Sequence, residues 1–244
     1  MQKLNIRLKE GQVEFHGNAI PLELVESNRK TVGLTVTPDM RVVLRISQGL
    51  STEEQQRFLD RKESWLYKQL LYFEQFHPRQ TIRTWQAGET QFFLGKEYRL
   101  KIEESKHWAI TVGKEYILIL TPYPERVDLI QSHYRQWLKS QAEELFIKLH
   151  YKLQKSNEQK LGYWLDPPEV KYFKSKWGTY DPKTRKYTMN YMLMQAPLRS
   201  IEYVILHEVC HAKYLNHDRY FFNLLTSVEP SWRKWKDRME RMLA

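Results

Sequence analysis

The hydrophobic pattern changes period part-way along the chain, and this restricts the fold more than any other feature. Up to about residue 124, apolar residues alternate over short runs at 4–8, 31–36, 41–46, 90–94, 98–103, 108–112 and 116–120, with a looser run at 22–25. Alternation puts every second side chain on one face, so each run predicts a strand. Pro38-Asp39 between two runs is a hairpin signal, and turns are expected at Gly95 and Gly113. One interruption is helical. Ser51-Thr-Glu-Glu54 has the form of a capping box, in which Ser51 accepts from an orphan amide and Glu54 reaches back. The helix it opens is expected to run to about residue 76, with Leu59, Leu66, Leu70 and Phe73 on one face and Pro78 beyond its end.

From about residue 125 the spacing lengthens. Val127, Ile130, Tyr134, Leu138, Leu145, Leu149 and Leu153 recur near 3.6 residues and predict a long helix over 125–159. Pro167-Pro168 ends that stretch, and strands are expected at 169–174 and 186–190. Pro197 suits the first turn of a helix running to about 215, with two shorter helices over 218–226 and from 229 to the end. The fold class is α+β. A β-rich region over 1–124 carries one long helix, and a helical domain with a small sheet follows over 125–244. No internal repeat, low-complexity tract or glycine-rich phosphate loop is visible.

Composition removes several function classes. No apolar run approaches the roughly 20 residues that cross a bilayer, and the charged N-terminus has no signal-peptide core. A single cysteine, Cys210, cannot form an internal disulfide and fits a reducing cytoplasm. The 39 Lys and Arg against 29 Asp and Glu leave a net charge of +10. Residues 148–186 alone hold ten basic and four acidic residues, a net of +6. This stretch reads either as a solvated lysine-rich face or as a surface drawing a polyanion or phosphate.

The chemistry is concentrated in His207-Glu208-Val209-Cys210-His211, an H-E-x-x-H pattern on an expected helix. Positions four apart differ by only about 40° around a helix, so His207 and His211 share a face. Two neutral imidazoles there can bind one Zn²⁺, and Glu208 beside them can take a proton from metal-bound water without being a ligand. A third ligand is needed. His217 lies six residues after His211, on the wrong face of an unbroken helix, so it serves only if the helix stops first. Asn216 is placed to stop it in a left-handed conformation. Glu229, eighteen residues beyond His211, is the alternative.

Nearby features carry two readings each. The segments 176–180 and 186–190 look like a hairpin that either aligns an extended substrate along its edge or simply buries the helix. Trp177 reads as core, Cys210 as a small buried thiol, and Trp232 and Trp235 as packing residues. Tyr180 is a residue that can reach a developing oxyanion.

Ser175-Lys-Trp-Gly-Thr179, Met189-Asn190, Pro197, Tyr203-Val-Ile-Leu-His-Glu-Val-Cys-His211 and Asn216-His217-Asp218 together resemble the YgjP-like predicted metal-dependent hydrolases, relatives of the SprT-like zinc metallopeptidases. The hairpin over 31–46, residues 51–59 and Phe93-Leu-Gly-Lys-Glu-Tyr-Arg99 match that family's layout as well. The resemblance implies a zincin-like helix-plus-small-sheet core, with His207, His211 and His217 as metal ligands and Glu208 as base. This chain has Lys176, Thr179 and Tyr180 where relatives often show Arg-Trp-Gly-Ser-Cys, and Cys210 where alanine is common.

Three functions follow from these features. The leading one is a cytoplasmic zinc metallopeptidase acting on a peptide or protein, without membrane involvement. The second keeps the metal and hydrolyses a nucleotide phosphoanhydride, with lysines holding phosphate. The third is a non-catalytic, zinc-containing module that binds nucleic acid.

Overall fold

In a computed structural model, which describes residues 4–7, 10–28, 31–37, 40–74, 85–174 and 176–243, the chain gathers into two compact units, Met1–Thr81 and Ile82–Leu243. The architecture is mixed α+β, as the change of period predicts.

The first unit has strands β1 (Asn5–Arg7), β2 (Gln12–Phe15), β3 (Asn18–Ser27), β4 (Gly33–Val36) and β5 (Val42–Ser47), in the sheet order β1-β2-β3-β5-β4. β3 and β5 run parallel, and β4 returns antiparallel to β5. Helix α1 (Thr52–Glu74) follows. Its capping box is formed in both directions. Ser51 N donates to Glu54 Oε2 at 3.0 Å, and Glu54 N donates to Ser51 Oγ at 3.3 Å. Leu59, Leu66 and Leu70 pack into a core with Val13, Phe15, Val42 and Leu44. The turn at Pro38-Asp39, the end of the helix beyond Glu74 and Pro78 lie outside the described residues. β2 is not legible in the sequence, because a four-residue strand gives only one alternating pair, Val13 and Phe15.

The second unit opens with β6 (Thr90–Phe93), β7 (Lys96–Glu104), β8 (Ala109–Val112) and β9 (Tyr116–Thr121), ordered β6-β7-β9-β8, with β7 parallel to β9. Helix α2 (Val127–Ser156) follows. This repeats the path β2-β3-β5-β4 and then α1. Even the turns correspond: His16 and Gly17 have φ of 49° and 79°, and Leu94 and Gly95 have 49° and 80°. Positive φ at both central positions is the type I′ hairpin requirement. The repeat escapes a reading of the sequence because pairing order and turn geometry carry it, and few identities do.

Phe93, Leu100, Ile117 and Ile119 share one core with Tyr134, Leu138 and Phe146 of α2. The break in sequence character near 121–125 is thus where strands give way to helices inside one compact unit, whose first residue is Ile82. Hydrophobic period reports the type of element; membership of a core depends on which faces meet.

A three-stranded sheet follows, ordered β10-β12-β11, from β10 (Glu169–Lys171), β11 (Gly178–Asp181) and β12 (Lys186–Asn190). Buried Asn190 holds the chain leading into β11. Its Nδ2 donates to Phe173 O at 2.8 Å and Lys176 O at 2.9 Å, and its backbone N donates to Trp177 O at 2.8 Å. The remaining helices are α3 (Glu158–Leu161), α4 (Leu198–Cys210), α5 (Arg219–Val228) and α6 (Trp232–Leu243), with a 3₁₀ turn over Tyr191–Gln195.

Helix α4 is held from several sides. The β6–β7 turn docks at its start, with Leu94 N donating to Met194 O at 2.7 Å and Gly95 N to Gln195 O at 3.2 Å. A Cβ on Gly95 would lie 2.7 Å from Pro197 Cα, so this turn needs glycine both for space and for φ. Buried Glu202 accepts from Lys152 Nζ of α2 at 3.0 Å and from Arg199 at 2.8 Å. Ser200 Oγ donates to Trp235 O of α6 at 2.9 Å.

Candidate metal centre

Helix α4 stops at Cys210, earlier than its apolar spacing predicts, and Asn216 is not among the residues of positive φ. The chain leaves the helix by tightening: His211 N donates to Glu208 O, Ala212 N to Val209 O and Lys213 N to Cys210 O, each three residues back. This turns the backbone within four residues. Asp218 then caps α5, its Oδ1 accepting from Tyr220 N at 2.9 Å and Phe221 N at 3.0 Å. The exit of one helix and the entry of the next therefore bracket His217 and swing it back over α4.

His207, His211 and His217 each offer one ring nitrogen, and the three atoms lie within 4.8 Å of one another. His207 Nε2 and His217 Nε2 are 2.9 Å apart. His211 Nδ1–H donates to Tyr214 O at 3.0 Å, which leaves its Nε2 lone pair available. The Phe221 ring underlies all three imidazoles, with centroid separations of 5.0, 4.6 and 4.7 Å. Among the described residues no other group of potential ligands converges in this way. Glu229 is elsewhere: it terminates α5 and its Oε1 accepts from Ser231 N at 3.1 Å.

Electrostatics favour neutral imidazoles. Burial, then the neighbouring His211 and His217 and the charge of Lys236, push His207 down to about 3. Burial also lowers His211, against the pull of its bond to Tyr214, and lowers His217. Glu208 is buried on the same helix, and burial pushes its carboxyl up to about 8, opposed by Lys176. Gly178 of β11 lies directly against it. A Cβ there would fall 2.6 Å from Glu208 Oε1 and 2.7 Å from Cγ. The glycine sits in a strand, where its usual meaning is a close approach.

Trp177 and Tyr180 are half-buried against the main core, Trp232 is buried, and Cys210 is a buried free thiol that burial pushes up to about 12. Gly178 and Asn190 enter the sequence reading only within the motifs that carry the resemblance and Phe221 not at all; what each does comes from the structure. A glycine within an expected strand is the one signal that was available. Phe221 and Asn190 act through contacts that no spacing encodes.

The family model "YgjP-like, metallopeptidase domain" matches residues 30–242. The chain belongs to the YgjP-like family. No curated protein and no solved structure matches it. Membership of a metallopeptidase family implies a metal-dependent hydrolase with a peptide or protein substrate. No helix of the described residues is long and apolar enough to cross a membrane.

A metal ion is implied by this YgjP-like membership, and the residues present fit one. His207 Nδ1 is buried without a hydrogen-bond partner, while its Nε2 faces another imidazole nitrogen. Ligand nitrogens at about 2.0–2.1 Å from a tetrahedral ion stand about 3.3 Å apart. The spacing here brackets that value, so small side-chain adjustments suffice.

Proposed function

We propose that the chain is a zinc-dependent metallopeptidase in which His207, His211 and His217 hold the ion and Glu208 is the general base. The convergence of three ring nitrogens within 4.8 Å, beside a buried carboxylate on the same helix, carries this reading. An all-imidazole donor set suits zinc. Zinc held by the three imidazoles would supply Lewis acidity to the attacking water and the scissile carbonyl. Glu208 takes the proton from that water at its carboxylate and returns it to the leaving amine. Phe221 keeps the inner side of the centre dry, while exposed His217 borders the open side from which substrate arrives.

β11 aligns an extended substrate in this scheme. It is the end strand of its sheet, so its outer edge offers main-chain groups, and Gly178 brings that edge against Glu208. The chemistry is assigned to residues 125–244, with 1–124 outside the ligand set. The lone thiol of Cys210 accords with a reducing, cytoplasmic setting.

The test combines metal analysis with turnover. Mass spectrometry on folded wild type is expected to find about one zinc per chain, lost in both His207→Ala and His217→Ala. Glu208→Gln is expected to keep the zinc and lose at least about 10²-fold in turnover on a peptide panel, while a nucleotide panel stays flat. Full activity in Glu208→Gln, or zinc retained in His217→Ala, would overturn the assignment.

A further inference from the structure

The strand edge beside Glu208 stops short, and a cation stands where it stops. β11 is the end strand of its sheet, and its first residue, Gly178, lies against Glu208. Before Gly178 the backbone bends at Trp177 and leaves strand geometry. The carbonyls there are already engaged: Trp177 O accepts from Asn190 N at 2.8 Å and Lys176 O from Asn190 Nδ2 at 2.9 Å. Asn190 is buried, so these bonds hold the backbone of 176–177 firmly. A chain paired with β11 therefore runs out of partner strand at Gly178.

Lys176 stands at that stop. Its side chain is exposed, and among the described residues its Nζ makes no hydrogen bond and no ion pair. Other lysines of the basic stretch are engaged: Lys152 with Glu202, Lys160 with Ser227 O and Lys171 with Glu169. The charge of Lys176 reaches Glu208, where it opposes the effect of burial, yet no bond joins the two. An ammonium is a compact point charge that suits a carboxylate. Two residues of extended chain span roughly 7 Å. A peptide whose scissile bond lies at Glu208 thus has the next one or two residues beside Lys176, where main-chain pairing no longer holds it. A chain that continued past this point would offer the cation only neutral amides.

We propose that Lys176 binds the free C-terminal carboxylate of a peptide, so that the site removes one or two residues from the end of a chain. The inference rests on the peptidase reading above for its chemistry. The oxygen of water bonds to the scissile carbonyl carbon, the C–N bond breaks, and the amine takes up a proton and leaves as an amino acid or dipeptide. Lys176 acts by holding the leaving portion in place; it takes no part in the proton transfer.

The experiment uses a labelled strand-forming peptide, Ala-Val-Ala-Val-Ala, as the free acid and as the C-terminal amide. Fluorescence anisotropy on the whole chain carrying Glu208→Gln, in chelator, removes both turnover and the ion as explanations. The acid is expected to bind about tenfold more tightly than the amide, the worth of one charged hydrogen bond. Lys176→Met in that background should erase the difference, and Lys176→Arg should keep most of it. Both changes fall at an exposed position, and circular dichroism checks the fold. On zinc-loaded wild type, mass spectrometry should find the acid shortened by one or two residues from its C-terminus. Lys176→Met should raise KM for the acid about tenfold with kcat little changed. Equal binding of acid and amide, binding of neither, a difference that survives Lys176→Met, or cleavage only at interior bonds would each overturn the proposal. Discrimination through Lys176 without hydrolysis of any peptide would overturn the peptidase reading and leave the carboxylate site standing.

Discussion

Glu208 combines a carboxylate's chemistry with a site that resists its charge. Its carboxyl is raised from an ordinary 4.5 to about 8 by burial. A raised folded-state pKa contributes stability that is complete below about 4.5 and lost as pH rises through about 8. In chelated protein, Glu208→Gln should therefore gain on wild type as pH rises, by roughly 4 kcal/mol at pH 8 and almost nothing at pH 4.5. Thermal unfolding of the two proteins across that range measures it, and a difference independent of pH would refute the buried-carboxylate account. Gly178 makes the complementary point. A methyl group at that position meets Glu208 at 2.6 Å, so Gly178→Ala must move either the carboxylate or β11. The expected cost is about 1–3 kcal/mol of stability, with turnover falling far more than zinc content. Zinc lost in step with activity would show that the strand matters to the histidines instead.

At the scale of elements, the histidine triad depends on where two helices end. α4 finishes at Cys210 by i−3 bonds, and Asp218 starts α5 by capping two amides. Asp218→Ala removes that cap at a cost of about 1 kcal/mol, and because His217 is the preceding residue the loss should reach metal affinity. A competition titration against a zinc-chelating dye should show a weakening of about fivefold or less, with His207 and His211 still engaged. Unchanged affinity would mean that Phe221 packing alone positions His217. The helical spacing and the H-E-x-x-H face were legible because both repeat the 3.6-residue period within a few residues. The early end of α4 was not, since residues 211–215 keep an apolar pattern that a continuing helix could equally use. Nor was the left-handed stop expected at Asn216, which the chain replaces with a tighter turn beginning at His211.

For the whole molecule, the two compact units hold separate cores: Val13, Leu44 and Leu66 belong to one, and Leu100, Tyr134 and Val209 to the other. The histidines lie wholly in Ile82–Leu243. Anything that binds a folded unit and not its unfolded chain stabilises that unit. Differential scanning calorimetry should therefore resolve two transitions, and chelation should lower only the one belonging to the metal-bearing unit. A single transition that shifts as a whole would mean the units unfold together. The duplicated strand path belongs to this scale too. The turn at Leu94-Gly95 docks under the start of α4, whereas among the described residues nothing lies within 4 Å of a Cβ placed on Gly17, so the two turns are used differently.

Local periodicity and local spacing sufficed to determine the α+β class, the capped helix beginning after Ser51, and the pair His207 and His211 with Glu208 between them. Each depends on residues a few positions apart, where backbone geometry is nearly invariant. Tertiary structure alone decided that β3 joins β5 and β7 joins β9 in parallel, that residues of β6, β7 and β9 share a core with α2 and α4, and that Gly178 presses against Glu208. It also brought the His217 ring beside those of His207 and His211. These contacts join distant residues, and they arise from packing of complementary faces, which a linear pattern does not encode.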